Sequence, residues 1–337
     1  MTELRAFGRT GVRISTLTLG AMNFGARANA DHDDGVRIIH RALDAGINCI
    51  DTADVYSHGE SEEVVGKALR GGRRDDVFLA TKFFGEMGDD PNHRGGSRRW
   101  IMREVENSLR RLGTDHIDLY QMHRPDPEVD FEESLSALSD LVHQGKIRYI
   151  GTSTFPAWSI VEGQWIAERR NLERVVCEQP PYSILVRSIE REMLPAAQKY
   201  GMAVIPWSPL AGGYLTDSAS AGSVRATRIP ERYDRTHPAN APKLAAVEKL
   251  RELATEAGIT IIHLAIAFVL RHPAVTSAIV GPRTMEHLES MLGADKVVLS
   301  ADVMDRIDEI VPPGTDLNPA DAGYRPPSLT DPAVRRR

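Results

Sequence analysis

The sequence predicts an α/β protein, a (β/α)8 TIM barrel with an N-terminal β-hairpin and long rim loops, and three observations carry that prediction. Apolar runs of strand length alternate with helical patterns along all 337 residues, joined mostly by short links. That alternation favours a parallel sheet with right-handed crossovers. Eight such units suit the roughly 250–300 residues of a closed barrel. Three consecutive predicted strands also end on an ionisable residue, namely Asp51, Lys82 and His123, and Tyr56 lies just beyond the first. The carboxyl ends of barrel strands are where such folds build their sites.

The elements follow in order. Leu4–Phe7 and Val12–Ser15 flank Gly8-Arg9-Thr10-Gly11 and read as a hairpin. Leu17–Gly20 is the first buried strand. Val36, Ile39 and Leu43 then share a helical face closed by Gly46. The preceding Asp31-x-Asp33-Asp34-Gly35 loosely resembles a calcium loop, but Ala42 stands where the closing glutamate is needed. Helix capping is the better reading, and no metal site is expected. The stretch Ile47–Gly66 is a complete βα unit, with Ile47, Cys49 and Asp51 on one strand face. Val77–Lys82 and Ile117–Met122 follow as strands, each succeeded by a helix: Ile101–Leu112 ended by Gly113, and Leu135–Val142 ended by Gly145. Strands over Ile147–Ser153 and Val175–Gln179, a helix over Met193–Tyr200, and strands over Ala203–Trp207 and Ala278–Gly281 complete the set. Residues 208–240 form a long loop of the kind that serves as a lid or binding loop. No internal boundary or repeat interrupts the pattern, so residues 1–337 are read as a single barrel domain with a proline-rich C-terminal tail over 312–337.

Composition narrows the function. A hydrophobic fraction of 42% supports a large core. A net charge of −6 and a pI near 6.0 argue against a nucleic-acid partner, and the closing Arg335-Arg336-Arg337 is too short to alter that. Cys49 and Cys177 fall within predicted strands and read as small buried hydrophobes. The N-terminal residues lack an apolar signal core, and no apolar run is long enough to span a bilayer. The expectation is a cytoplasmic protein with neither a membrane nor a nucleic-acid partner; monomer and homo-oligomer both remain open.

The chemistry rests on Asp51, Tyr56, Lys82 and His123. A phenol, with an ordinary pKa near 10, gives up its proton reluctantly at neutral pH. A neighbouring ammonium stabilises the phenolate and makes a tyrosine a usable general acid. Lysine at a partly buried rim needs a counter-charge, which Asp51 can supply, and His123 can hydrogen-bond a carbonyl oxygen or relay a proton. Such a site suits carbonyl reduction. An Asp–Lys pair can be a plain salt bridge and a strand-end histidine a satisfied polar group; the joint placement carries the functional reading. The chain has no Gly-x-Gly, hence no Rossmann fingerprint, so any dinucleotide must bind the barrel rim.

At these residues the chain resembles the aldo-keto reductases. The resemblance lies in Asp51-Thr-Ala-Asp-Val-Tyr56-Ser-x-Gly59-x-Ser-Glu62, Ala80-Thr81-Lys82 and Asp118-Leu-Tyr-Gln-Met-His123. It continues in Gly145-Lys146-Ile-Arg148-Tyr-Ile-Gly151-Thr-Ser153, Glu178-Gln179-Pro-Pro-Tyr182, Trp207-Ser208-Pro209-Leu210 and Gly281-Pro-Arg283-Thr-Met-Glu286. It covers nearly the whole chain and is greatest to the branch containing potassium-channel β-subunit-like reductases and bacterial sugar reductases. The resemblance implies a (β/α)8 barrel, NADPH-dependent carbonyl reduction, and a catalytic tetrad of Asp51, Tyr56, Lys82 and His123. It further implies that Ser153 and Gln179 hold the nicotinamide carboxamide and that Trp207 stacks on the ring. The loop carrying Ser208, Pro209, Leu210 and Gly212 would cover the pyrophosphate. Gly281, Arg283 and His287 would hold the adenosine phosphate end, while Gly20, Met22 and Asp51 complete the NADPH/NADP+ contacts. Two positions depart from the pattern: Thr154 replaces a frequent asparagine, and Ser290-Met291 replaces a Glu–Asn pair that grips adenine.

The substrate pocket is expected among Met22, Tyr56, His123, the loop from Phe83 and the tail near Tyr324, with aldehydes, small diketones and keto-sugars all open as small-molecule carbonyl substrates. Two rival functions are a cofactor-binding regulatory or partner protein with little turnover, and a barrel hydrolase pairing Asp51 with Asp54 or Glu62.

Overall fold

The computed structural model describes residues 3–216 and 229–335; positions 217–228 of the long loop and the last two arginines of the tail lie outside the described residues. The hairpin strands β1 (Leu4–Ala6) and β2 (Arg13–Ser15) pair antiparallel, Leu4 opposite Ser15. Phe7 and Ile14 are fully buried in a cluster with Cys49, Phe78, Leu119, Cys177 and Ala203, so the hairpin packs against side chains of the barrel interior. Both cysteines are free and buried, as the sequence suggests.

Eight parallel strands form the sheet: β3 (Leu17–Gly20), β4 (Cys49–Asp51), β5 (Phe78–Phe83), β6 (Ile117–Met122), β7 (Ile147–Ser153), β8 (Val175–Gln179), β9 (Ala203–Val204) and β10 (Ala278–Val280). Their order is β10-β3-β4-β5-β6-β7-β8-β9. Two backbone bonds bring the outer members together: Thr276 N–H donates to the Val204 carbonyl at 2.8 Å and Ile279 N–H to the Pro206 carbonyl at 2.9 Å. The sheet thus curls shut in the predicted (β/α)8 arrangement. The strand expected over Ala203–Trp207 is regular for only two residues, because Pro206 has no N–H to donate. The N–H groups of Ile205 and Trp207 still reach the Glu178 and Pro180 carbonyls, which carries the chain to the rim.

Around the strands lie α1 (His32–Asp44), α2 (Glu60–Ala68), α3 (Arg98–Leu112), α4 (Phe131–His143), α5 (Ala157–Arg170), α6 (Met193–Tyr200), α7 (Ala241–Glu256), α8 (Ile261–Arg271), α9 (Met285–Met291) and α10 (Ala301–Ile310). Asp31 caps α1, its carboxylate accepting from the N–H groups of Asp33 and Asp34 at 2.9 and 3.0 Å, so the acidic run is a helix start. The helix α5 eluded the sequence reading because its pattern is inverted: Trp158 and Trp165 are exposed while Gly163 and Gln164 are buried. Buried residues run almost without interruption from Ile261 to Leu270 in α8, so no amphipathic period announces it.

The tail, whose course the sequence left open, crosses the C-terminal rim. Arg187 N–H donates to the Thr315 carbonyl at 2.9 Å and Leu317 N–H to that of Leu185 at 3.1 Å. Asn318 then donates to Asn240 Oδ1 at 2.7 Å, and Asp321 pairs with Lys243 at 2.7 Å and Arg232 at 3.0 Å. The tail is thereby tied to the described C-terminal part of the long loop.

Candidate active site

Inward-facing positions at the ends of four strands meet at Lys82. This side chain of β5 is fully buried, and its ammonium donates to Asp51 Oδ1 at 2.6 Å, the Thr52 carbonyl at 2.8 Å and Tyr56 Oη at 3.3 Å. The other oxygen of Asp51 accepts from Gln121 Nε2 of β6 at 3.0 Å and Gln179 Nε2 of β8 at 2.7 Å. Gln179 also donates to Gln121 Oε1 at 3.1 Å, so both its amide hydrogens are engaged. A buried ion pair is tolerated when the remaining valences are satisfied in this way. Burial opposes the charge on Lys82, but Asp51 and Tyr56 more than offset it, and the net effect holds the ammonium above its ordinary value.

Tyr56 opens a tight turn, Tyr56–Gly59, in which Ser57 and His58 adopt φ of 49° and 54°. Its ring lies 4.9 Å from the Lys82 ammonium and 5.7 Å from the His123 imidazole, edge-on at 81°. His123 follows β6 and is tied to β5 by its N–H bond to the Phe83 carbonyl at 2.9 Å. Desolvation, then the cations of Arg124 and Lys82, push His123 well below the ordinary imidazole value. It is therefore a neutral donor or acceptor at pH 7. A phenol backed by an ammonium, with a neutral imidazole at its edge, can hydrogen-bond a carbonyl oxygen and deliver a proton to it.

The expected cofactor residues lie at the ends of β7, β8, β9, β10 and β3, which follow one another around the ring. Ser153 Oγ donates to the Gln179 carbonyl at 2.9 Å, and Gln179 Oε1 accepts no bond from the described residues. Trp207 is half-buried; its indole N–H points to Thr154 Oγ1 at 3.4 Å, and Thr154 sits at φ 63°. Ser208, Ala211 and Gly212 all have positive φ in the loop that also carries Pro209 and Leu210, and a Cβ on Gly212 would strike the ring of Tyr233. Gly20 is needed for a different reason: a Cβ there would lie 2.7 Å from Ile279 Cγ2, where β3 and β10 meet. Met22 is half-buried in the loop after β3. Asn23 from that loop donates to the Gly281 carbonyl at 2.8 Å and Asn29 to that of Arg283 at 3.1 Å. The Arg283 guanidinium is exposed and engages no acceptor among the described residues. His287, nearby on α9, is held below its ordinary value by burial and then by Arg283. Met291 is buried in the core and Ser290 bonds back to the His287 carbonyl at 2.9 Å, so neither takes over the role of an adenine-gripping pair.

The structure brings together every member of the Asp51, Tyr56, Lys82 and His123 set, and it corrects the expectation of a partly buried Lys82. It separates the rival carboxylates from any ligand. Glu62 is fully buried and occupied by Arg111 at 2.6 Å and Thr81 at 2.6 Å. Asp54 is fully buried, and burial followed by Glu62 and Glu104 keeps it well above the ordinary carboxylate value. Several participants went unread in the sequence. Gln121 stands two residues before His123 on one strand, a period-two signal that could have found it. Glu178, Arg124 and Arg232 emerge only from packing.

A closed parallel barrel that gathers a carboxylate, an ammonium, a phenol and an imidazole on its C-terminal rim has the architecture of a barrel enzyme. Residues 16–312 match the family model for the Aldo/keto reductase family, and the chain belongs to that family. Among relatives, it is 40% identical over 320 residues to the uncharacterized oxidoreductase YrpG of Bacillus subtilis, covering 92% of this chain and 96% of that one. It is 33% identical to a putative voltage-gated potassium channel subunit beta of Schizosaccharomyces pombe, covering 95% of each chain. It is also 34% identical to the versiconal hemiacetal acetate reductase of Aspergillus parasiticus, covering 91% and 96%. The family and these relatives place the chain among oxidoreductases.

Proposed function

We propose that the protein is an NADPH-dependent reductase converting an aldehyde or ketone to an alcohol, with Tyr56 as the proton donor. One observation carries the reading: the buried Lys82 ammonium is held between Asp51 and the phenolic oxygen of Tyr56. The residues present fit a nicotinamide dinucleotide. Gln179 keeps only its Oε1 available, which suits the N–H of a carboxamide, and Ser153 Oγ is bonded to the backbone carbonyl of the same residue. Trp207 offers an accessible indole at the same rim, and Arg283 offers an uncommitted guanidinium for a phosphate. The hydride that reduction requires comes from the reduced nicotinamide when it is bound. The protein supplies the rest. Tyr56 Oη and the neutral His123 receive the carbonyl oxygen. As hydride reaches the carbon, the Tyr56 proton passes to the oxygen, and Lys82 stabilises the phenolate left behind. Asp51 and its two glutamine donors keep the ammonium in place.

NADPH oxidation against a panel of carbonyl compounds tests the reading. Tyr56→Phe should lower turnover by about 10²–10⁴-fold, the usual value of general acid catalysis, while NADPH binding by fluorescence titration stays near wild type. Wild-type turnover in the Phe variant removes Tyr56 from the mechanism. The channel-subunit relatives favour a second reading, a cofactor-binding partner protein; tight NADPH binding without turnover on any carbonyl would support it.

A further inference from the structure

The mouth of the site carries an excess of positive charge that the reductase chemistry leaves unused. Arg124 follows His123 directly, and its guanidinium lies 6.0 Å from the centroid of the Trp207 ring. Arg232 lies 5.9 Å from the same ring, so two arginines approach one indole. Arg232 is paired with Asp321 at 3.0 Å, and Lys243 shares that carboxylate at 2.7 Å. Arg124 forms no ion pair with the described residues: its guanidinium donates only to the His123 carbonyl, and the carboxylate that acts on it, Glu178, is buried and has its two oxygens engaged by Thr152 and Phe155. Lys82 is balanced by Asp51, and His123 is neutral. Among the described residues around Trp207, therefore, Arg124, Arg232 and Lys243 stand against a single ion-pairing carboxylate, Asp321, in a chain whose net charge is −6.

A stacking role for Arg124 does not account for this. Six ångströms is the outer limit for a productive cation–π contact, so the ring alone holds the guanidinium only weakly. A largely desolvated guanidinium that forms no ion pair of its own is costly to hold. It is retained most simply where a ligand brings the anion. The planar fork of arginine matches a carboxylate or phosphate in a bidentate fashion.

We propose that Arg124 is a specificity-determining residue that selects carbonyl substrates bearing a carboxylate or phosphate a few atoms from the reacting carbon. The assignment rests on the carbonyl-reductase reading above. An oxyanion held at Arg124 tethers the substrate next to His123 and Tyr56, so that its carbonyl oxygen has a short path to the phenol. Arg232, itself anchored to the tail through Asp321, lies 5.9 Å from the Trp207 ring and adds to the field without being free to fork onto the anion.

The experiment compares matched pairs with NADPH as reductant: 4-oxobutanoate against its methyl ester, and glyceraldehyde 3-phosphate against glyceraldehyde. Wild type should favour the charged member of one pair by about 10- to 100-fold in kcat/KM, the size of a charge-assisted bond, with most of the difference in KM. The pair that shows it identifies the anion. Arg124→Met should bring that ratio close to one, and Arg124→Lys should restore part of it, because lysine keeps the charge but not the fork. No preference in either pair overturns the proposal. So does an Arg124→Met variant in which both members of the pair fall equally, which would make Arg124 a support for His123. Weakened NADPH binding in that variant with the ratio intact would assign Arg124 to the cofactor and also overturn it. If no carbonyl is reduced at all, the reductase reading fails separately. Calorimetric binding of succinate and of glycerol 3-phosphate to the NADP+-loaded protein then decides the subsite: binding of either that is lost in Arg124→Met sustains it, and no binding of both refutes it.

Discussion

Replacing Glu178 by glutamine should change how the stability of the protein follows pH. Glu178 lies fully buried on β8, where its carboxyl accepts from Thr152 Oγ at 2.5 Å and from Phe155 N–H at 3.1 Å. Burial raises it to about 7, against an ordinary value of 4.5, while those bonds hold it partly down. Between these two pH values the folded state keeps a proton that the unfolded chain has released. The folded state binds more protons there, so stability falls as pH rises through the window. The stabilising contribution of the neutral carboxyl is complete below the unfolded value and gone above the folded one. Two and a half pH units at 1.36 kcal/mol each give a swing of about 3 kcal/mol. Glutamine cannot ionise. Its Oε1 can still accept from Phe155, and its amide can donate to Thr152 Oγ, which accepts as readily as it donates. Glu178→Gln should therefore be near neutral at pH 4.5 and gain up to about 3 kcal/mol relative to wild type by pH 8. Urea unfolding of both proteins at half-unit pH intervals reads this directly. A difference that stays constant with pH shows that Glu178 ionises like a surface carboxylate, and the argument from burial fails.

Two further substitutions probe the site from its ends. Lys82→Met leaves the Asp51 carboxylate buried with only its two glutamine donors; stability should drop by about 3–5 kcal/mol by chemical denaturation, and turnover should collapse with it. A variant as stable as wild type would mean that Asp51 does not depend on Lys82. Arg283→Ala should weaken NADPH by roughly ten- to a hundred-fold and NADH far less in a fluorescence titration, because only NADPH carries the 2′-phosphate. Equal affinity of wild type for the two cofactors would remove Arg283 from that role.

What could be read from the sequence, and what could not, divides along a physical line. Strand order around the barrel follows from alternation and right-handed crossovers, so the delivery of Asp51, Lys82 and His123 to one rim was legible from their places at strand ends. Tyr56 was legible because it follows its strand within one turn. Helices were read where an apolar stripe repeats, and missed where it does not, as in α5 with its exposed tryptophans and α8 with its nearly continuous burial. Contacts across the interior were out of reach altogether. β4 and β8 are not sheet neighbours, yet Gln179 of β8 spends an amide hydrogen on Asp51 of β4 and another on Gln121 of β6. Such a bond depends on barrel radius and side-chain length, which no local pattern encodes. Its consequence is chemical. A glutamine that the family resemblance assigns to gripping a cofactor also holds the carboxylate that holds the lysine, so in the proposed reaction cofactor contact and acid positioning would share one residue. Arg124 is the complementary case: beside His123 in sequence it looks like an ordinary loop cation, and only the packing shows that it forms no ion pair among the described residues and that the carboxylate acting on it, Glu178, is already engaged by Thr152 and Phe155.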